Sequence, residues 1–218
     1  MIAIQPSSPS SAATAYRPSV MATKQAVVSG HYLASQAGFQ ILEAGGNAVD
    51  AGCAVGIATG VLESQFVGVA GIAPVLFYLA DCKEVLTIGG IGVWPKRASC
   101  AFFQKNYGGE IPISIQASVV PPAPGAWILA LKEYGTKSFE EVATPAIRLA
   151  RDGFPMYPFL QKIIREQESN TRLWDSNTAV YLPGGRVPEI GSIFRQTDIA
   201  KTLQYLADEE KAHSSRGR

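Results

Sequence analysis

Side chains able to act as nucleophiles, acids or metal ligands are few and scattered in this sequence of 218 residues. Its two histidines, His31 and His213, lie far apart, and His31 stands at the start of a predicted helix, where an imidazole more often has a structural role than a catalytic one. No serine, histidine and carboxylate set can be assembled from them into a catalytic triad. We therefore assign no catalytic residue to this stretch of chain.

The cysteines indicate no chemistry either. Cys53, Cys82 and Cys100 are an odd number, and they lack the Cys-x-x-Cys or Cys/His spacing of a disulfide framework or a zinc site. We expect all three to be buried, reduced and structural. Because no phosphate-binding glycine loop is present, the sequence predicts neither a metal nor a cofactor.

The densest pattern lies in residues 38–71 and predicts two packed helices. The first ends at Gly45 and Gly46, which can take left-handed dihedral angles. Asn47 then caps a second helix from Ala48 to about Leu62, which has almost no polar face and so must be buried. Its glycines cost about 1 kcal/mol each in helix propensity, so we expect them to permit close approach to a sheet.

The other segments complete an α+β pattern. Residues 73–79 and 84–88 are predicted to form an antiparallel hairpin, and Ser138 with Glu141 forms a capping box. The predicted elements before residue 126 are a short strand at 24–30, a helix beginning at His31, a helix, Gly-Gly turn and extended segment at 101–115, and an extended proline crossing through Pro124. After it, helices are predicted at 126–134, 139–151 (with Pro145 inside), 158–168 and from Thr197 or Asp198 through Leu206, with a turn-rich stretch at 170–193.

Composition limits the partners. The net charge is +1 and 47% of the residues are hydrophobic, without a basic stripe for nucleic acid or an apolar run that would cross a membrane. Residues 1–22 are predicted to be a flexible segment without the features of a signal peptide, residues 23–208 the folded part, and residues 209–218 a polar tail. Together with unpaired cysteines, this predicts a cytoplasmic protein.

Four stretches together resemble the gamma-glutamyl transpeptidase family. GGNAVDAGCAVGIATGVLES at residues 45–64 resembles the family's GGNAVDAAVA...EP segment, and residues 26–46 resemble its lead-in. Residues 119–158, from VVPPAPG to RDGFPMYP, resemble the family's VPG...GFPV block, and GSIFRQTDIAKTLQYLAD at 191–208 resembles its GxxxxQPxLAxTLxxIA element. The resemblance covers most of residues 27–208 in the family's order.

This resemblance assigns the segment after the hairpin to substrate binding, and the sequence departs from the family there. The family's DGRE(T)AP loop holds an arginine that grips the α-carboxylate of a gamma-glutamyl donor. In an alignment ending at Pro95, Ile91 stands in place of that arginine and Gly92 replaces the acidic residue. The loop instead offers glycine amides and an aromatic ring, which suits a smaller or less charged acyl group. The predicted substrate-binding residues are Gly89, Gly90, Ile91, Gly92, Trp94 and Arg97.

The resemblance also implies an N-terminal nucleophile hydrolase, in which two β-sheets lie between helical layers in an αββα sandwich. Family members are precursors that cut themselves, and the new N-terminal threonine of the small subunit attacks the substrate amide with its own α-amine as base. We therefore expect a partner small subunit that carries the nucleophile, a fold that is incomplete without it, and a small-molecule amide substrate. A higher oligomer of such heterodimers is a further alternative.

Three functions are weighed. The first is an amide hydrolase of this family acting on a substrate other than a gamma-glutamyl compound. The second is a genuine gamma-glutamyl transpeptidase, or glutathione hydrolase, whose carboxylate clamp comes from another position such as Arg97. The third is a non-catalytic binding or assembly subunit. A threonine that follows a self-cleavage site elsewhere in the polypeptide would separate the first two from the third.

Overall fold

The computed structural model describes residues 20–216, with side chains through residue 213, as a set of helices with two short sheets. β1 pairs with β2, and β3 with β4, both antiparallel. This confirms the predicted α+β class, and of the predicted flexible segment all but residues 20–22 lie outside the described range. The elements in chain order are α1 (Tyr32–Glu43), α2 (Ala48–Leu62), β1 (Val75–Leu79), β2 (Glu84–Ile88), α3 (Cys100–Tyr107), α4 (Ala123–Tyr134), α5 (Phe139–Asp152), β3 (Phe154–Pro155), α6 (Pro158–Glu166), α7 (Glu168–Thr171), α8 (Asp175–Tyr181), β4 (Ile193–Phe194) and α9 (Thr197–Arg216).

Helix α2 lies at the centre of the fold and has the predicted bounds. Its side chains are buried mainly against α1, α5 and α4. The sequence predicted that a sheet would pack on this helix, but helices cover most of its surface. Gly60 of α2 permits a close approach to backbone, since an added Cβ would lie 3.1 Å from the nitrogen of Val69. Gly38 of α1 does the same, with an added Cβ 3.0 Å from the carbonyl oxygen of Ala51. On its remaining face, a cavity separates α2 from β1.

Asp50 joins the start of α2 to the α4–α5 connection. Asn47 and Asp50 form a capping box, in which the backbone N–H of Asn47 donates to the Asp50 carboxylate at 2.7 Å. The same carboxylate, fully buried, accepts from the backbone N–H and the hydroxyl of Thr136 at 2.9 and 2.7 Å, and from the N–H of Lys137 at 3.2 Å. A buried carboxylate thus has its charge balanced by hydrogen bonds and not by a cation.

The predicted hairpin forms from β1 and β2, with Val75 opposite Ile88. Its turn contains Lys83 in a left-handed conformation, with φ of 59°. Phe77 faces the protein and its ring lies 4.8 Å from that of Tyr134 in α4, whereas its neighbour Tyr78 is exposed. The hairpin is therefore held against α4 by this ring contact.

Helices α5 and α9 pack together and complete the core on the other side of α2. The capping box of Ser138 and Glu141 is present, as predicted, and α5 continues through Pro145. Helix α9 does not stop at Leu206 but runs to Arg216, into the predicted polar tail. The carboxylate of Glu210 accepts a hydrogen bond of 2.8 Å from the backbone N–H of Phe139, which ties this extension to the first turn of α5.

Four other predictions require correction. No strand forms at 24–30, because no other described strand lies beside it, although residues 25–29 alternate between half-buried and exposed. Helix α4 begins at Ala123, so Pro124 occupies its first turn, where proline's missing N–H is tolerated. Residues 170–193, predicted as turns, contain α8. All three cysteines were expected to be buried, but Cys82 and Cys100 are exposed and of the three Cys53 alone is buried.

Candidate substrate-binding site

The segment at residues 89–97, here called the glycine loop, is fixed at two points by backbone hydrogen bonds. The N–H of Ala73, just before β1, donates to the carbonyl of Gly90 at 2.8 Å. The N–H of Val120 donates to the carbonyl of Val93 at 3.0 Å. The glycine loop therefore lies between the start of the hairpin and the approach to α4.

Two of the predicted glycines are required by this packing. Gly90 and Gly92 have φ of 50° and 80°, which L-residues with side chains rarely adopt. A Cβ at Gly90 would collide with the Ala73 carbonyl, and one at Gly92 would lie 2.6 Å from the Val120 carbonyl oxygen. These glycines thus bring the loop backbone against two neighbouring segments.

The loop presents backbone donors and an exposed apolar side chain. The amides of Gly89, Gly90, Ile91 and Gly92 donate no hydrogen bond to any described residue. The Ile91 side chain is 62% exposed. Arg97 is exposed as well, and it makes no ion pair within residues 20–216. The loop thus combines backbone donors with an exposed apolar side chain at Ile91 and an exposed guanidinium at Arg97.

Trp94 is the predicted residue that borders a cavity. Its indole packs edge to face on Phe103, with ring centroids 5.4 Å apart. The cavity beside them has a volume of about 400 Å³, and its lining is Trp94, Ala98, Ser99, Cys100, Phe103, Gln104, Gly109 and Ile111. We name it the Trp94 cavity. Sequence reasoning did not find Phe103, because its contact joins an irregular segment to a helix and leaves no periodic pattern.

A second cavity lies between α2 and the hairpin and measures about 440 Å³. Cys53 lines it together with the apolar face of Trp127 and small residues of α2. Burial, with a further contribution from the charge of Asp50, raises the pKa of the Cys53 thiol to about 12. The thiol therefore stays protonated near neutral pH and does not supply a nucleophile.

His31 has the structural role that the sequence indicated. It is the N-cap of α1, and its Nδ1 accepts a hydrogen bond of 3.2 Å from the N–H of Leu33. An accepting Nδ1 requires the neutral imidazole with its proton on Nε2. Burial lowers the pKa of His31, which favours this neutral form, and the ring packs 5.0 Å from that of Tyr157.

Beside His31, a small polar group fixes the end of α2. The Tyr157 hydroxyl donates to the carbonyl of Leu62 at 3.0 Å and accepts from the Gln65 amide at 3.0 Å. Burial raises the pKa of the neighbouring Glu63 carboxyl. The hydrogen bonds of the Tyr157 hydroxyl therefore have a structural role, because they connect the end of α2 to the residue before α6.

Residues 20–216 contain no group of three or more His, Cys, Asp or Glu side chains placed to hold a metal ion. Within the same range, no helix is both long and apolar enough to cross a membrane.

Comparison with known proteins gives consistent matches over nearly the whole chain. Residues 34–217 match the family model described as Gamma-glutamyltranspeptidase. The chain is 35% identical over 201 residues to the glutathione hydrolase-like YwrD proenzyme of Bacillus subtilis, covering 89% of this chain and 37% of that protein. It is 34% identical to the acylase ACY 1 proenzyme of Pseudomonas sp. strain V22, covering 84% and 34%.

The fold has a counterpart among solved structures. The gamma-glutamyltranspeptidase of Helicobacter pylori superimposes with a TM-score of 0.82 at 27% sequence identity, over 88% of this chain and 56% of that chain. This chain therefore spans about a third of the length of the curated relatives named above, and little more than half of the solved chain.

Proposed function

The chain belongs to the gamma-glutamyltranspeptidase family, and on that premise we propose that it supplies the scaffold and the acyl-binding loop of an amide hydrolase whose substrate is not a gamma-glutamyl compound. Its fold is the α+β N-terminal nucleophile hydrolase fold. What supports the proposal is the glycine loop, where the alignment ending at Pro95 puts an exposed Ile91 in place of the family's arginine.

The energetics favour an uncharged acyl group. A hydrogen bond between charged groups contributes about 1.5–3 kcal/mol, and a carboxylate desolvated without a partner costs more than that contact would return. Replacing a guanidinium by the Ile91 side chain removes this contact. Because every 1.4 kcal/mol corresponds to about tenfold in affinity, a gamma-glutamyl donor should bind at least about tenfold more weakly than it would with the arginine present.

The proposed reaction is acyl transfer to water. A partner small subunit contributes an N-terminal threonine, whose hydroxyl adds to the amide carbonyl while its α-amine takes the hydroxyl proton. The substrate's amine is the leaving group and departs with that proton. Water then hydrolyses the acyl-threonine ester and releases the carboxylic acid. In this scheme the amides of residues 89–92 position the acyl part of the substrate, and this chain supplies no catalytic group.

A second function has specific support. The name of the Bacillus relative, glutathione hydrolase-like, favours gamma-glutamyl hydrolysis, with Arg97 as the only basic residue of the loop besides Lys96. The name of the Pseudomonas relative, acylase, favours the first function.

We further propose a cytoplasmic location, which cell fractionation would test by finding the protein with cytoplasmic markers.

The deciding experiment uses the complete, processed protein. Hydrolysis of gamma-glutamyl anilide is compared with hydrolysis of acetyl and phenylacetyl anilides before and after the substitution Ile91→Arg. We expect N-acyl anilides to be preferred, and Ile91→Arg to lower KM for the gamma-glutamyl anilide alone. Val93→Arg is the matched control, because Val93 lies on the same loop and is 68% exposed. Efficient gamma-glutamyl hydrolysis that does not respond to Ile91→Arg would favour the second function, and absence of any turnover would favour a non-catalytic subunit.

A further inference from the structure

The Trp94 cavity has a rigid aromatic wall. Phe103 is the buried residue of α3, and its ring makes edge-to-face contacts with Trp94 and Phe102 at 5.4 and 5.3 Å. Tyr107, one turn further along α3, lies 6.2 Å from Phe103. Edge-to-face aromatic pairs of this kind contribute about 0.5–1.5 kcal/mol each beyond their buried area. The indole of Trp94 is thus held in place while 40% of its surface stays exposed.

The rest of the lining is apolar or uncharged. Ala98, Gly109 and Ile111 complete the surface opposite the aromatic wall, and none of the described lining residues is charged. The Ser99 hydroxyl is already engaged as the cap of α3, accepting from the N–H of Phe102 at 3.2 Å. The Gln104 amide, the Trp94 indole N–H and the Ser99 O–H donate no hydrogen bond within the described chain, so neutral donors remain for a ligand.

The cavity adjoins the glycine loop, because Trp94 belongs to both. Ile91 and Trp94 are three residues apart, which limits the distance between their Cα atoms to roughly 11 Å. The volume of about 400 Å³ falls within the range of roughly 300–1,000 Å³ that small-molecule sites occupy. One acyl group could therefore place its carbonyl end at the loop and its far end against Trp94.

We propose that the Trp94 cavity is the binding pocket for the side chain of the substrate's acyl group, and that it selects uncharged aryl or branched alkyl acyl groups of about phenylacetyl size. This inference rests on the proposed amide hydrolysis, to which it adds a substrate class and the residues Phe103, Ala98 and Ile111. A carboxylate at the end of the acyl chain is disfavoured, because the cavity would desolvate it without a cation.

The test fills the cavity in the complete, processed protein. Ala98→Leu places a larger side chain in the lining, and Ala101→Leu is the matched control, since Ala101 is exposed on α3 and does not border the cavity. KM is measured for phenylacetyl and acetyl anilides, and binding of 4-fluorophenylacetate is followed separately by ¹⁹F line broadening. We expect Ala98→Leu to raise KM for the phenylacetyl anilide by about tenfold or more, leave the acetyl anilide nearly unchanged and abolish the broadening.

The two readouts separate this inference from the proposed function. If amides are hydrolysed but Ala98→Leu changes neither the phenylacetyl KM nor the broadening, the pocket assignment is wrong and the function stands. If no amide is hydrolysed while 4-fluorophenylacetate still binds in a manner that Ala98→Leu abolishes and Ala101→Leu does not, the pocket stands and the function fails. Absence of both turnover and binding overturns both.

Discussion

Asp50 gives the sharpest test of how this fold is held together, through the substitution Asp50→Asn. The side chain keeps its size and loses its charge, and one carboxylate oxygen becomes an NH₂ donor. If the NH₂ replaces Oδ1, it faces the N–H groups of Thr136 and Lys137. Lys137 then loses its acceptor, and Thr136 keeps only its longer bond of 3.2 Å to Oδ2. If it replaces Oδ2, it faces the N–H of Asn47, while the Thr136 hydroxyl can rotate and accept. The second orientation is therefore the cheaper one.

Even the cheaper orientation is costly. One buried N–H without an acceptor costs about 1–3 kcal/mol, and each remaining bond changes from a charged to a neutral acceptor, a loss of about 1 kcal/mol. With two such bonds, from Thr136 and Lys137, we expect the free energy of unfolding to fall by about 3–5 kcal/mol. The assay is the urea midpoint of the complete protein, combined with hydrogen exchange at the Thr136 and Lys137 amides, which should lose protection.

The matched control is Glu141→Gln, in the other capping box. Glu141 likewise accepts from the backbone N–H of its N-cap, Ser138, at 2.9 Å, but its side chain is 52% exposed. Water can replace the lost acceptor there, so we expect a cost of about 1 kcal/mol or less. Equal shifts of the midpoint for Asp50→Asn and Glu141→Gln would refute the argument that burial of the Asp50 hydrogen bonds dominates.

Two further predictions concern titrating groups. Because burial lowers the pKa of His31 below 6.5, the unfolded chain binds more protons than the folded chain just below that pH, and the free energy of unfolding should fall as the pH drops through this window. Urea midpoints measured between about pH 7.5 and 5 would show this fall. The variant His31→Asn keeps a capping side chain and should flatten the pH dependence. Cys82 and Cys100 are exposed and should react with maleimide in the native protein near neutral pH. Cys53 is buried and has a pKa of about 12, so it should react only when the protein unfolds. Labelling of Cys53 in the native protein, detected by mass spectrometry, would contradict this.

Features determined by neighbouring residues could be predicted from the sequence. The bounds of α2 follow from Asn47 as a cap, and the hairpin follows from two apolar runs around a short polar turn. The capping box at Ser138 is likewise a local pattern. In each case the chemistry that starts or ends the element lies within a few residues of it, so no knowledge of the tertiary structure is needed.

Features that depend on distant contacts could not be predicted. The extension of α9 depends on Glu210, whose acceptor role at Phe139 joins positions 71 residues apart. Whether a cysteine is buried depends on what packs over it, which separates Cys53 from Cys82. In the candidate site, the glycines and Trp94 follow from the resemblance, whereas the pairing of Trp94 with Phe103 is visible only in the structure.

The Asp50 junction also sets an order of events during synthesis. The Asp50 carboxylate accepts a hydrogen bond from Thr136, which lies 86 residues further along the chain. The carboxylate therefore lacks this donor until the α4–α5 connection has left the ribosome. At roughly 5–20 residues per second, the delay is roughly 4–17 s. Through that interval α1 and α2 can pair locally, but the apolar side of α2 that α4 and α5 later cover stays open to chaperones. A pause in translation between the two segments should therefore lengthen the time for which the nascent chain is vulnerable to aggregation.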